Sequence, residues 1–192
     1  MTRWPVRTKL ARVPVWIARK NVPPTPIASS ALRARAERML KRLKLSRAEL
    51  SVLLCDDAEI HGLNRAHRRK DKPTDVLAFA QREGPTLPGA GSLLGDVVIS
   101  LDTARRQARE HGHSLWVEVT LLLAHGLLHL VGYDHRTDAE EARMNAKVVE
   151  LVNAARARAA RVTRLRVDKR VGRIAQNPPA ATIAARRHVK KL

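Results

Sequence analysis

The chain has 192 residues, which is enough for one domain with a sizeable apolar core. Lys and Arg outnumber Asp and Glu by 37 to 18, and the formal net charge of +19 favours polyanionic partners such as nucleic acid. No apolar run has the length of a membrane span, and the single cysteine, Cys55, excludes an internal disulfide. The basic N-terminus has no apolar run behind it, so we expect no secretory signal and a cytoplasmic location.

Four segments have the composition of strands, and five have the apolar spacing or the capping residues of helices. The predicted strands cover residues 13–18, 50–55, 76–80 and 93–100. The predicted helices run from about residue 29 to 43, 58 to 67, 102 to 110 and 115 to 131, and from 138 onward. Because Pro14 lacks a backbone donor, we expect the first strand to lie at a sheet edge. Ser29 or Ser30 is expected to cap the first helix, and Ser114 the fourth.

The composition divides the chain into three parts. Residues 1–12 are basic and are predicted to form an N-terminal arm, whereas residues 13–155 contain the predicted strands and helices of one domain. From residue 156 onward basic residues dominate, and Asp168 is the only acidic residue after Glu150. Such a segment cannot bury enough apolar surface to order itself, so we predict a basic, largely disordered tail over residues 156–192.

The most informative stretch covers residues 125–135 and follows an apolar run that predicts a buried helix. His125 and His129 are four residues apart, which places both imidazoles on one helix face. Gly132 can adopt the left-handed conformation that ends a helix, so the chain can turn and bring His135 back to the same point. Three neutral imidazoles suit Zn²⁺, which in catalytic sites keeps a fourth position for water.

An alternative is that the histidines hydrogen-bond each other or the backbone. Burying two imidazoles on a Leu-rich face costs free energy unless they have partners, and His135 completes a known ligand spacing, so we favour the metal site. The spacing resembles the metzincin motif H-E-x-x-H-x-x-G-x-x-H, with Gly126 in place of the glutamate that acts as general base. The metal site is therefore predicted without the peptidase mechanism.

Three separated segments resemble the YbeY family of bacterial ribosomal-RNA endoribonucleases. Residues 63–79 resemble the family pattern L-N-x-x-Y-R-x-x-D-x-P-T-D-V-L-S-F, with His67 in place of Tyr and Ala78 in place of Ser. Residues 94–100 form the second segment, and residues 125–135 match H-G-x-x-H-x-x-G-Y-D-H. The resemblance covers roughly residues 13–155 and leaves the basic tail unexplained.

The resemblance implies an α+β fold with a small, mixed, four-stranded sheet, about five helices and a metzincin-like metal helix at the centre. It also implies that residues 13–155 are a metal-dependent endoribonuclease domain, a hydrolase with one Zn²⁺ per chain. The implied activity is cleavage of single-stranded RNA in ribosomal RNA processing, including the 16S 3′ end, and in ribosome quality control. The implied partners are single-stranded RNA, ribosomal RNA and the ribosome, with no membrane.

The resemblance assigns His125, His129 and His135 as zinc ligands and Arg68 as the catalytic residue. A bidentate guanidinium would stabilise the charge that develops on a phosphodiester under attack. The alternative is that Arg68 is one of several basic residues that only bind RNA. The other RNA-binding candidates are Arg65, Arg69, Lys70 and Lys72.

Two carboxylates and the remaining histidines complete the set of candidates. Asp75 and Asp134 are predicted to orient ligand histidines through the second ring nitrogen, although each can instead stabilise a turn. The other histidines lack ligand spacing and are interpreted as surface or loop residues: His61, His67, His111, His113 and His188. Two other functions stay open, a ribosome assembly factor with a structural metal and a metalloprotease-like hydrolase that takes its base from elsewhere in the chain.

Overall fold

The computed structural model of the chain describes residues 15–22, 24–81, 93–134 and 137–156. The predicted arm, most of the predicted tail and His135 lie outside the described residues. The strands are β1 (Val15–Arg19), β2 (Glu49–Cys55), β3 (Val76–Ala80) and β4 (Leu93–Ser100). The helices are α1 (Ser29–Arg42), α2 (Asp57–Arg68), α3 (Leu101–Glu110), α4 (Leu115–Leu130) and α5 (Asp138–Arg156).

The four strands form one mixed sheet in the order β1-β2-β4-β3. The β1–β2 and β2–β4 pairs are parallel, and the β3–β4 pair is antiparallel. The sheet and the five helices confirm the predicted α+β fold within the described part of the chain. The first strand lies at the sheet edge, as Pro14 before it had indicated.

The centre of the fold is α4, which is buried around most of its circumference. It packs against β3 and β4 on one side and against α3 and α5 on the others. A helix that is apolar all round is stable only inside a core, and the Leu-rich sequence of α4 meets that requirement. The fold therefore holds the two histidines of this helix on a rigid, largely buried element.

The N-terminus of α4 follows the capping expectation, and the N-terminus of α5 is capped by Thr137. The Ser114 hydroxyl accepts a hydrogen bond from the Val117 amide at the start of α4. At the start of α5, the Glu140 amide donates to the Thr137 hydroxyl and the Thr137 amide donates to the Glu140 carboxylate. These bonds satisfy amides that the first helical turn leaves without a partner.

The expectation for α1 is wrong, because Ala28 is its N-cap residue and no side chain caps it. Ser29 already lies within the helix, and its hydroxyl accepts a hydrogen bond from Arg19 Nε at 3.3 Å. The guanidinium of Arg19 also donates to the Ile27 carbonyl. A contact with β1, on a different element, therefore takes the hydroxyl that would otherwise cap the helix.

Among the described residues, none of the helices combines the length and the apolar character needed to cross a lipid bilayer.

Candidate functional site

His125 and His129 lie one turn apart on α4, and their Nε2 atoms are 3.1 Å apart. The ring centroids are 4.7 Å apart and the ring planes meet at 78°. Two nitrogens on one tetrahedral Zn²⁺ lie about 3.3 Å apart, given Zn–N bonds of about 2.0–2.1 Å. The pair therefore fits two ligands of one ion, while the same distance also fits the alternative of a hydrogen bond between the rings.

Gly132 follows α4 directly after its C-cap residue, Val131. Its φ of 87° is the left-handed conformation that glycine adopts without a Cβ penalty. The Gly132 amide donates to the His129 carbonyl and the Tyr133 amide donates to the Leu128 carbonyl, each at 3.0 Å. The described chain continues to Asp134, and His135 lies just beyond it, so the third ligand stays a prediction.

Gly126 allows α4 to approach the sheet closely beside His125. A Cβ at this position would lie 2.7 and 3.1 Å from the two methyl groups of Val97 and 3.3 Å from a methyl of Val76. The position therefore has no space for the glutamate of the metzincin pattern. The glycine that removes the peptidase base at the same time permits helix–sheet packing, a role that the sequence interpretation missed.

The basic candidates lie in the last turn of α2 and in the loop after it, and a buried asparagine fixes the shape of that loop. The side-chain amide of Asn64 donates to the Lys72 carbonyl at 2.7 Å, and the Lys70 amide donates to the Asn64 carbonyl at 3.3 Å. Arg69 adopts the left-handed conformation with a φ of 55°, directly after Arg68 ends the helix. Asn64 is 1% exposed, so its amide and carbonyl need these partners inside the protein, and no pattern in the sequence identified it.

Arg68 differs from the basic residues around it. It is half-buried, and burial lowers the pKa of its guanidinium while the Asp75 carboxylate opposes that shift. Three of its basic neighbours are exposed, Arg65, Arg69 and Lys72, and Lys70 is partly exposed like Arg68 itself. The structure thus separates one guanidinium near a buried carboxylate from a set of solvated cations.

Asp75 is buried at the start of β3, and both of its carboxylate oxygens accept hydrogen bonds. Oδ1 accepts from the Val76 amide at 2.8 Å and from the Thr74 hydroxyl at 3.2 Å. Oδ2 accepts from Gln107 Nε2 at 3.1 Å, which ties β3 to α3. These contacts favour the structural alternative for Asp75, and its orientation of a ligand histidine stays a prediction.

A second cluster of possible ligands, which the sequence interpretation missed, lies at the other end of α4. His113 Nε2 is 3.0 Å and His111 Nδ1 is 3.6 Å from Glu118 Oε2. One ligand atom from each of the three residues lies within 4.8 Å of the others, so they could hold a metal ion. Both histidines do lie in the α3–α4 loop, and His111 is exposed, as the sequence interpretation expected; what it missed is their approach to Glu118.

Burial controls the charge of this cluster. It raises the pKa of Glu118 to about 7, and the facing His111 opposes that shift. Burial also lowers the pKa of His113. The signal in the sequence was the carboxylate itself, because Glu118 interrupts an otherwise apolar run and lies seven residues before His125, on the same face of α4.

Two of the remaining histidines have structural contacts instead. His61 Nε2 pairs with Asp71 at 2.8 Å, and the His67 ring packs edge-on against Phe79 with centroids 5.1 Å apart. Both residues lie on α2, where His67 is exposed and His61 is partly exposed, and their lack of a metal-binding role stays a prediction. His188 lies outside the described residues.

The comparisons with known proteins agree on one family. Residues 20–156 match the family model described as Endoribonuclease YbeY. A protein named Endoribonuclease YbeY from Anaeromyxobacter dehalogenans is 52% identical over 127 residues, covering 66% of this chain and 64% of the relative. One of the same name from Aquifex aeolicus is 56% identical over 106 residues, covering 55% of this chain and 69% of the relative.

A solved structure shares the fold. The solution structure of a protein from Thermotoga maritima aligns with a TM-score of 0.53 at 25% identity, covering 74% of this chain and 89% of that one. This chain spans 64% of the length of the Anaeromyxobacter protein, so the match covers only part of that relative. The family match contains Arg68, Asp75 and both histidines of the α4 pair.

Proposed function

The chain belongs to the endoribonuclease YbeY family, and on that premise we propose that it is a zinc-dependent endoribonuclease that cuts single-stranded RNA in the cytoplasm. The proposed substrate is ribosomal RNA, including the 16S 3′ end, during maturation and quality control of the ribosome. The observation that supports this most is the pair of convergent imidazoles, His125 and His129, on a buried helix of a strongly basic chain.

The proposed ligands of the one catalytic ion are His125, His129 and His135. Neutral imidazole nitrogens suit zinc, and three protein ligands leave one position open. A zinc ion bound there would supply a Lewis acid that lowers the pKa of water into the neutral range. Asp134, next to His135 in the chain, is proposed to orient that ring through its second nitrogen.

Arg68 is proposed to stabilise the negative charge that develops on the phosphate oxygens. Its half-buried guanidinium can donate two parallel hydrogen bonds to a phosphate, and partial exclusion of water strengthens them. Arg68 is the last residue of α2, and Asn64 fixes the loop that follows, so this side chain would meet the RNA in a fixed geometry. The other cations of this region are proposed to bind the RNA backbone without reading its sequence: Arg65 on α2 and Arg69, Lys70 and Lys72 in the loop after it.

Cleavage of two substrates by the purified full chain tests the proposal. We expect hydrolysis of a single-stranded RNA oligonucleotide and no hydrolysis of casein. A chelator should abolish the RNA cleavage and added Zn²⁺ should restore it. Cleavage of casein instead would support the metalloprotease-like alternative, and tight RNA binding without any cleavage would support the assembly factor.

A matched pair of histidine variants assigns the activity to α4. His129→Ala should lose both RNA cleavage and the zinc bound by the three-histidine site. His61→Ala removes an exposed imidazole that pairs with Asp71, and it should keep most of the activity because it leaves α4 unchanged. Equal activity of the two variants would overturn the proposal.

A further inference from the structure

We propose that His111, His113 and Glu118 form a second transition-metal site at the N-terminal end of α4, separate from the predicted three-histidine site. This site goes beyond the proposed ribonuclease function, because its role is to join α3, the α3–α4 loop and α4. The expected ligand is a divalent ion that favours nitrogen donors, with Zn²⁺ as the first candidate.

The three side chains come from three different local structures that meet at one point. His111 is the C-cap residue of α3, His113 lies in the loop, and Glu118 is in the first turn of α4. Both imidazoles face the same oxygen, since His113 Nε2 is 3.0 Å and His111 Nδ1 is 3.6 Å from Glu118 Oε2. The carboxylate is 1% exposed, so bulk water does not solvate it.

The tautomer of His113 indicates what this carboxylate faces. His113 Nδ1 lies 3.3 Å from the Ser114 carbonyl, and a carbonyl can only accept, so this nitrogen donates its proton. A backbone carbonyl that orients the second ring nitrogen is the usual support of a metal-binding histidine. In the neutral ring the Nε2 lone pair then points at Glu118 Oε2, which is an acceptor when the carboxylate is ionised.

Two acceptors at 3.0 Å repel each other unless a proton or a cation lies between them. Among the described residues, neither His113 Nε2 nor Glu118 Oε2 has a hydrogen-bond partner, and both atoms are buried. A proton shared by His113 and Glu118 would leave His111 without a partner. A divalent cation would instead bind lone pairs of His111 Nδ1, His113 Nε2 and Glu118 Oε2 at once. The set of two histidines and one glutamate is one that zinc uses in hydrolases.

This site cannot be half of a two-metal centre with the histidine pair. Glu118 precedes His125 by seven residues of helix, which corresponds to about 10.5 Å along the helix axis. Metal ions that act together on one phosphate lie about 3.5–4 Å apart. The second ion would therefore stabilise the packing of α3 and the α3–α4 loop against α4. Gln107 lies one turn before His111, and its hydrogen bond to Asp75 would extend this stabilisation to the start of β3.

Metal content of the full chain tests the site. After dialysis against excess Zn²⁺ and removal of unbound metal, we expect two ions per wild-type chain and one in the His125→Ala/His129→Ala variant. Adding Glu118→Gln to that variant should remove the remaining ion. Glu110→Gln, which changes an exposed carboxylate at the end of α3, is the matched control and should keep it.

A second measurement needs no change at Glu118. Zn²⁺ titrated into the metal-free His125→Ala/His129→Ala chain should shift the imidazole nitrogen resonances of His111 and His113 and saturate at one equivalent. Absence of such shifts, or a residual ion that survives Glu118→Gln, would overturn the proposal. Either failure leaves the RNA cleavage assay unaffected, so it is distinguishable from a failure of the proposed function.

Discussion

The two ends of α4 each bring imidazoles together, and they differ in how the chain encodes them. At the C-terminal end, His125 and His129 lie one turn apart on a single helix, so their spacing in the sequence already places them together. At the N-terminal end, the ligands come from α3, a loop and α4, and only the folded chain brings them together. Sequence spacing therefore identifies sites built on one element and misses those assembled across several.

The surroundings of the two ends also differ. The proposed function assigns to the C-terminal end the half-buried Arg68 of α2 and the cations beside it, which suit binding of a polyanion. The N-terminal cluster is centred on a carboxylate that is almost completely buried, which suits a structural ion. We therefore expect RNA chemistry at the C-terminal end of α4 and stabilisation at the N-terminal end.

The largest effect is expected from His129→Ala. Loss of one ligand should remove the ion at this end and lower single-turnover RNA cleavage about a thousandfold, since a metal ion contributes several kcal/mol to such a transition state. The variant should still gain thermal stability when Zn²⁺ is added, because the N-terminal cluster is intact. Loss of that gain together with the activity would show that the two ends are not independent.

A smaller loss of activity is expected from Arg68→Ala. Removal of one transition-state donor typically lowers kcat by roughly a hundredfold, and the zinc content should stay at the wild-type level. Arg65→Ala, one turn earlier on α2 and exposed, should raise KM while kcat is retained. Unchanged kcat in Arg68→Ala with bound zinc would remove this residue from the mechanism.

Gly126→Ala is expected to destabilise the fold through packing. The added Cβ would lie 2.7 Å from a Val97 methyl group, and such overpacking typically costs about 1–3 kcal/mol in the free energy of unfolding. Gly62→Ala is the matched control on α2, because a Cβ there meets nothing within 4 Å and the substitution should stabilise the helix by up to about 1 kcal/mol. Urea denaturation measures both changes, and equal stabilities would contradict the close approach of α4 to the sheet.

The smallest effect is expected from deletion of residues 161–192. The predicted tail is basic, so its removal should weaken RNA affinity several-fold and reduce the slope of log affinity against log salt by about 0.7 for each phosphate that the tail neutralises. Metal content at both ends of α4 should not change. An unchanged affinity and slope at physiological salt would show that the tail does not contribute to RNA binding.

Much of the fold follows from local sequence, and the wrong expectations have identifiable causes. Ser114 and Gly132 mark the two ends of α4 because one caps amides and the other adopts a left-handed conformation. The predicted cap of α1 is wrong because Arg19, on a strand, takes the Ser29 hydroxyl. Capping rules describe local competition for a hydroxyl and contain no information about a partner from another element.

The candidate site was predictable from the sequence only where a single helix fixes its geometry. The histidine spacing on α4 placed His125 and His129 together correctly, because a helix fixes the geometry of residues four apart. The contacts of Asp75 with Gln107 and of Glu118 with the α3–α4 loop depend on how α3 packs, which no local pattern encodes. Buried polar residues within apolar runs were the signal, and they indicate that a partner exists without identifying it.

Anomalous diffraction at the zinc edge, from crystals of the zinc-loaded chain, tests the central claim most directly. We predict a peak within bonding distance of the Nε2 atoms of His125 and His129 and of the His135 ring, with one further position open to solvent. A metal ion enclosed by four protein ligands, or no peak between these two imidazoles, would contradict a catalytic metal at this end of α4.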